Sequence, residues 1–357
     1  MRGWVLSLRK ARAAAVRFAR IGERVLLKLA AHSPRIASIY YATLDNSLSR
    51  EAAAVSAGRL RYRADTLGRG SSYYLLRRNI HRLEKGLIMR PRRTTFALDY
   101  LFETIEIYER AVKAGGGWSR ELIWAYDVLT EYFNVVDKHN PTVAIELARF
   151  RSLQPPTTKR GAGAATRSVP YKRALELPPP VTFESLMALS HRRRSVRWYL
   201  DKPVERSLVD KAIAVAVQAP SACNRQPFLF HVIDDAERAR RIAAIPLGTK
   251  GFAEKLASVI VVVGRLRAYP LTRDRHAIYI DASLSSMALI YAFETLGIAT
   301  CPINWPDIEP QETIIAKELG LEADERVVML IAYGWPDPEG LVPYSAKREH
   351  DQIRQFH

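Results

Sequence analysis

The chain has 357 residues, enough for two domains and at least one full core. Its 48% hydrophobic and 25% charged residues exclude wholesale disorder, and two cysteines, Cys223 and Cys301, exclude a disulfide scaffold or a four-thiolate zinc site. The net charge of +17 lies wholly in the first half: residues 1–180 hold 32 Lys and Arg against 15 Asp and Glu, whereas residues 181–357 hold 22 of each. Such asymmetry points to an anionic partner for one part of the chain only.

In chain order, residues 1–30 set Trp4, Leu8, Ala15, Phe18, Val25 and Leu29 against Arg17, Arg20, Arg24 and Lys28. A basic amphipathic helix of this kind suits an anionic membrane surface. RNA, an acidic protein or simple docking on neighbouring helices would use the same pattern. Charges recur from Arg9 to Arg24, so no secretory apolar region forms. The longest uncharged apolar run, Val259 to Val263, falls far short of the ~18–20 residues of a spanning helix. The expected location is cytoplasmic, with the N-terminal helix suited to the inner face of a membrane.

Three helical stripes follow. Tyr73, Leu76, Ile80, Leu83 and Leu87 recur at steps of three and four, and Pro91 stops them. Ala97, Leu101, Ile105, Tyr108 and Val112 lead into Gly115-Gly116-Gly117. Leu122, Ala125, Leu129, Tyr132 and Val136 end before Asn140-Pro141. Gln154 to Pro180 is rich in proline and loses all apolar periodicity, as in a linker or extended arm. Beyond it, 228–233, 258–264 and 326–334 read as buried strands, with helices at 205–217, 279–296 and 309–319. The division expected is a basic helical region at 1–40, a helical bundle at 41–153, a linker at 154–182 and an α+β domain at 183–357.

Chemistry concentrates in that last domain. Arg192-Arg193-Arg194-Ser195-Val196-Arg197 offers guanidinium forks and a hydroxyl to a phosphate, although basic runs at helix ends are common solvated features. Ala219-Pro220-Ser221-Ala222-Cys223-Asn224-Arg225-Gln226-Pro227 joins a helix to the first strand, where α/β folds place ligands. Asn224 and Gln226 carry donors and acceptors suited to a heteroaromatic edge and a polyol. No glycine-rich dinucleotide fingerprint follows a strand.

In this order and spacing, these residues resemble the FMN-dependent nitroreductase family. The likeness continues through Leu296-Gly297-Ile298-Ala299-Thr300-Cys301-Pro302-Ile303-Asn304, Ala332-Tyr333-Gly334-Trp335-Pro336 and Ser345-Ala346-Lys347-Arg348. It implies a mixed sheet flanked by helices in an obligate homodimer, with each flavin lined by both chains. It also implies that Arg193, Ser195 and Arg197, joined by Lys347 and Arg348, hold the FMN phosphate and adjoining ribityl. Pro220, Ser221, Asn224 and Gln226 would line the ribityl and one side of the flavin ring. The backbone at Pro302, Ile303 and Asn304 would approach flavin N5. Trp305 stands where many members carry a glycine or small residue.

The activity so implied is electron transfer from NAD(P)H through FMN to a small acceptor of anionic, nitro or quinone type by ping-pong turnover. Reductive dehalogenation or oxygen-dependent ring chemistry is the second enzymatic reading. A different reading is a peripheral membrane assembly factor in which the flavin domain is mainly a dimerising scaffold. A flavin carries its own redox chemistry, so no catalytic side chain and no metal is expected. Arg267, Arg273, Arg275 and His276, on the segment joining a strand to the long helix, are candidates for an anionic substrate or nucleotide phosphate, and serve equally as a solvated loop. Asn79-Ile80-His81-Arg82-Leu83-Glu84-Lys85-Gly86 reads as a structural polar cluster on one helix face. It resembles the helical N-terminal part of nitroreductase-like proteins associated with bacterial polysaccharide biosynthesis. Cys223 and Cys301 read as packing residues.

Overall fold

The computed structural model describes residues 22–66, 73–114, 118–153, 167–173 and 177–357. The membrane-surface pattern at 1–21, the glycine triplet at 115–117 and most of the proline-rich stretch lie outside these residues. Residues 22–32 are helical, and α1 (Pro34–Thr43) follows, opened by Ser33 as its N-cap and Pro34 at its first position. Among the described residues no helix is long and apolar enough to cross a membrane.

The three helical stripes become α3 (Tyr74–Leu87), α4 (Leu98–Lys113) and α5 (Arg120–Val135), preceded by α2 (Ser49–Thr66) and followed by α6 (Pro141–Arg151). Asn140 caps α6 by accepting from Thr142 and Val143, so the proline that ends one pattern opens the next helix. Leu76, Ile80, Leu83, Leu101, Ile105, Tyr108, Leu129 and Tyr132 are fully or almost fully buried in one core closed by Val143 and Phe150. Gly86 lies against the Phe96 ring, leaving no room there for a Cβ. Part of the expected linker is docked: buried Asp127 on α5 accepts from the Ser168 backbone N–H at 2.8 Å.

Helix α2 belongs elsewhere. Its Ala54 and Val55 pack with Leu266, Ala268, Tyr269 and Ile278 of the C-terminal domain. Gly58 meets Leu266 so closely that a Cβ would stand 2.7 Å from that residue's own Cβ. Arg50 pairs with Glu309, and Arg61 with Glu322 and Asp324. The bundle core therefore takes in 76–150, whereas 49–66 lies against the second half of the chain.

The C-terminal domain carries α7 (Phe183–Arg192), α8 (Arg206–Ala216), β1 (Phe228–Ile233), α9 (Ala236–Ala243), β2 (Val259–Arg265), α10 (Ala277–Thr295), β3 (Ala299–Asn304), α11 (Glu309–Leu319) and β4 (Glu325–Gly334). The sheet order is β1-β2-β4-β3 with every strand pair antiparallel. The expected mixed sheet is instead antiparallel throughout its four strands, and Ser195 adds only an isolated parallel bridge to Thr300. Strand β2 explains its own uninterrupted apolar run: Val259, Val261 and Val263 face α9 and α11, while Ile260 and Val262 face α8 and α10. Each such buried side chain contributes about 1.5–3 kcal/mol of transfer free energy. Edge strand β1 is only half-buried over most of its length, unlike the strand buried on both faces that its sequence suggests. Strand β3 is absent from the sequence reading altogether, because Pro302 interrupts a run that otherwise alternates buried Cys301, Ile303 and Trp305 with exposed Pro302 and Asn304.

Candidate cofactor and substrate site

The first group of expected cofactor residues gathers beside β3. Helix α7, capped by Thr182, ends at Arg193, and the chain then runs along the outer edge of β3, where Val196 N–H donates to the Thr300 carbonyl at 3.0 Å. Arg193, Ser195 and Arg197 are half-buried there. Arg197 donates to the Ser195 carbonyl at 3.2 Å and stands 5.6 Å from the centre of the Phe252 ring. Neither Arg193 nor Arg197 has a carboxylate partner among the described residues, so both keep donors for an outside anion. Below them the buried Thr300 Oγ1 has no hydrogen-bond partner. Burial pushes the Cys301 thiol above its usual range, although the same two arginines pull it down. This marks how near they lie to β3, and it makes Cys301 a packing thiol.

Pro302 and Asn304 are exposed and Ile303 is buried. Past the Thr300 bridge the outer edge of β3 makes no sheet pairing among the described residues, so its backbone is open to a ligand. Trp305 does not compete for that place. It is 6% exposed, lies in the core, and donates its indole N–H to Glu312 at 2.6 Å. Lys347 lies on the exposed C-terminal tail, where residues 344–347 and Met187, Ser190, His191 and Arg194 line a cleft of about 490 Å³. Arg348, also exposed, donates to Gln352 at 3.4 Å.

The second group, Pro220, Ser221, Asn224 and Gln226, stands at the opposite corner of the sheet. Its loop feeds the start of β1, beside the end of β2 where Phe228 pairs with Gly264, whereas the Ser195–Thr300 bridge marks the far end of β3. Three strand spacings separate the two edges, about 14 Å before the offset along the strands is added. The two groups thus stand on opposite edges of one sheet.

The loop itself is tightly built. Cys223, Asn224 and Gln226 all have positive φ, at 53°, 51° and 52°, a strain that persists only where neighbours fix it. Those neighbours are identifiable. Asp281 accepts from Ala222 N–H and from the Tyr269 hydroxyl at 2.7 Å, with burial raising its carboxyl above the usual range. Ser221 Oγ accepts from Gln226 N–H at 3.0 Å, and Gln226 Nε2 donates to Asn224 Oδ1 at 2.9 Å. From the helical half, Arg77 Nε donates to the Asn224 carbonyl at 3.0 Å. No local pattern signals that contact, because it joins residues 147 positions apart.

The expected substrate residues divide. Arg267 is committed to buried Asp324, at 2.6 Å from Oδ1 and 2.7 Å from Oδ2, and to Glu322 at 3.0 Å. It acts as a structural cation that fastens the turn after β2. Arg273 and His276 are exposed and Arg275 is half-buried, so they stand free of that network. Among the described residues, no three His, Cys, Asp or Glu side chains cluster as a metal site would require. His81 and Glu84 sit together at 3.3 Å, with Glu84 also accepting from Trp124, a structural polar cluster as the sequence suggests.

Residues 191–250 and 244–335, in the C-terminal half of the chain, match the model of the Nitroreductase family. The chain is 23% identical over 193 residues to iodotyrosine deiodinase 1 of Pongo abelii, spanning 46% of this chain and 66% of the relative. It is 27% identical over 140 residues to the FMN reductase [NAD(P)H] of Bacillus subtilis, spanning 35% of this chain and 56% of the relative. An FMN-dependent nitroreductase of Clostridium difficile superposes on 48% of this chain and 99% of its own, at 22% identity and a TM-score of 0.41.

Proposed function

We propose that the protein is an FMN-dependent oxidoreductase that takes electrons from NAD(P)H and delivers them to a small acceptor. The reading is supported above all by the corner beside β3, where Arg193, Ser195 and Arg197 keep unpaired donors next to an open strand edge at Pro302–Asn304. Arg193, Arg197 and Lys347 would hold the terminal phosphate, and Ser195 the adjoining ribityl. The FMN ring, when bound, supplies the hydride and electron chemistry. The chain's part is to grip the phosphate, present the β3 backbone to the ring edge and exclude water.

The second half of the site would come from a partner copy. The loop at 220–226 lies on the opposite sheet edge from its own β3 corner, and a homodimer that sets one chain's loop against the other's corner would complete the pocket. Apolar surface for such a contact exists: Phe183, Leu186 and Met187 on α7 and Ile280, Leu284 and Met287 on α10 are all more than a third exposed. Light scattering on the full-length protein should give twice the chain mass. A flavin-loaded monomer would refute the shared site.

The central test is the cofactor. The purified protein should show a flavin absorption spectrum and release FMN on heating. FAD, or no flavin even after reconstitution, would overturn the proposal. Changing Arg193 to Ala should weaken FMN retention by about 1.5–3 kcal/mol, as for a lost charged hydrogen bond.

A further inference from the structure

The helical half and the flavin-type domain enclose a cleft of about 410 Å³ between α3, α5, the loop at 225–226 and the end of β2. That volume suits a small molecule. Four arginines line it, and they are not equivalent. Arg265 is held by Glu325 at 2.9 Å and Arg267 by Asp324 at 2.6 Å, so both are neutralised within the wall. Arg77 spends one donor on Asn224 and another on Glu121.

Arg225 is different. It is 6% exposed, makes no ion pair among the described residues, and has one long bond, 3.4 Å, to the Ala222 carbonyl. Among the described residues its buried Nε has no partner. The Tyr269 ring, 4.8 Å away, holds the guanidinium in place without using its donors. A buried guanidinium left with unused donors at the wall of a cavity is costly unless a ligand takes them.

We propose that this cleft binds the carboxylate or phosphate of a small molecule, with Arg225 as the receiving fork, Arg77 as the second cation and the Tyr73 and Tyr74 rings as its walls. The planar guanidinium matches either oxyanion bidentately. Because Arg77 also holds the Asn224 carbonyl, an anion that draws on Arg77 acts directly on the loop expected to face a partner's cofactor. The site's placement beside the cofactor rests on the function proposed above; its anion binding does not.

The test uses the full chain saturated with FMN, titrated calorimetrically with benzoate and, separately, inorganic phosphate at constant ionic strength. At least one should bind with one-to-one stoichiometry, and which one separates an organic acid from a phosphate ester. Arg225→Gln should weaken that binding at least tenfold, while Arg240→Gln, on the exposed face of α9, leaves it unchanged. No saturable binding of either anion, or binding that ignores Arg225, overturns the proposal. If Arg225→Gln does not fold, Glu121→Gln decides. It sits at a partly exposed helix start and frees Arg77, so it should tighten the anion several-fold, and an unchanged affinity refutes the site. Arg225-dependent binding in a protein that takes up no flavin would refute the oxidoreductase reading alone.

Discussion

Gly58 shows how tightly the helical half is joined to the C-terminal domain. It lies inside α2, where replacing glycine by alanine normally stabilises by about 1 kcal/mol through helix propensity alone. Here the added Cβ would stand 2.7 Å from Leu266 Cβ, 2.8 Å from Leu266 C and 3.0 Å from Arg267 N. Ordinary contact needs several tenths of an ångström more. The turn cannot easily yield, because Leu266 N–H is bonded to the Asp324 carbonyl at 3.0 Å and Arg267 N–H to the Asp324 side chain at 3.0 Å. Overpacking of this kind costs about 1–3 kcal/mol. The clash therefore outweighs the propensity gain, and Gly58→Ala should destabilise by up to about 2 kcal/mol. Gly58→Val, with two further methyl groups, should cost more. Gly22, helical and with nothing within 4 Å, supplies the control, since Gly22→Ala meets no clash. Urea unfolding midpoints of the three variants give the comparison. If Gly58→Ala stabilises as much as Gly22→Ala, the close approach of α2 to the Leu266 turn is wrong.

Two other perturbations probe the ion pairs. Glu312 and Arg326, 5% and 3% exposed, pair at 3.0 Å, and Trp305 donates to the same carboxylate. Glu312→Leu should cost about 3–5 kcal/mol by leaving Arg326 underpaired, and the double variant Glu312→Leu/Arg326→Met should recover much of it in urea unfolding. A single variant within 1 kcal/mol of wild type would contradict the buried pair. Arg50 holds the Glu309 carboxyl down at about 2, below its ordinary 4.5. The depressed value means that this stabilisation is present above pH 4.5 and is lost as pH falls towards 2. Glu309 is largely exposed, so the pair contributes about 0.2–1 kcal/mol. The unfolding midpoints of wild type and Glu309→Gln should converge across that interval, and a difference that stays constant with pH would refute the linkage.

The sequence by itself determined what depends on near neighbours. Stripes such as Leu76, Ile80, Leu83 and Leu87 fix one helix face whatever packs on it, and a run like Val259–Val263 can be satisfied only between two apolar layers. The motifs at 192–197, 219–227 and 296–304 likewise carried, through side-chain chemistry and spacing, a resemblance to the family whose model matches 191–335. The structure alone decided everything that required distant residues to meet. Strand β3 exists because β4 supplies its ladder partners, which outweighs the proline within it. Arg267, an exposed-looking cation in sequence, was claimed by Asp324 and Glu322, which lie more than fifty residues further on. Trp305 was taken into the core by Glu312. Most consequential is the placement of the two cofactor motifs at opposite corners of one sheet, because strand order is a property of the whole domain and no local pattern encodes it.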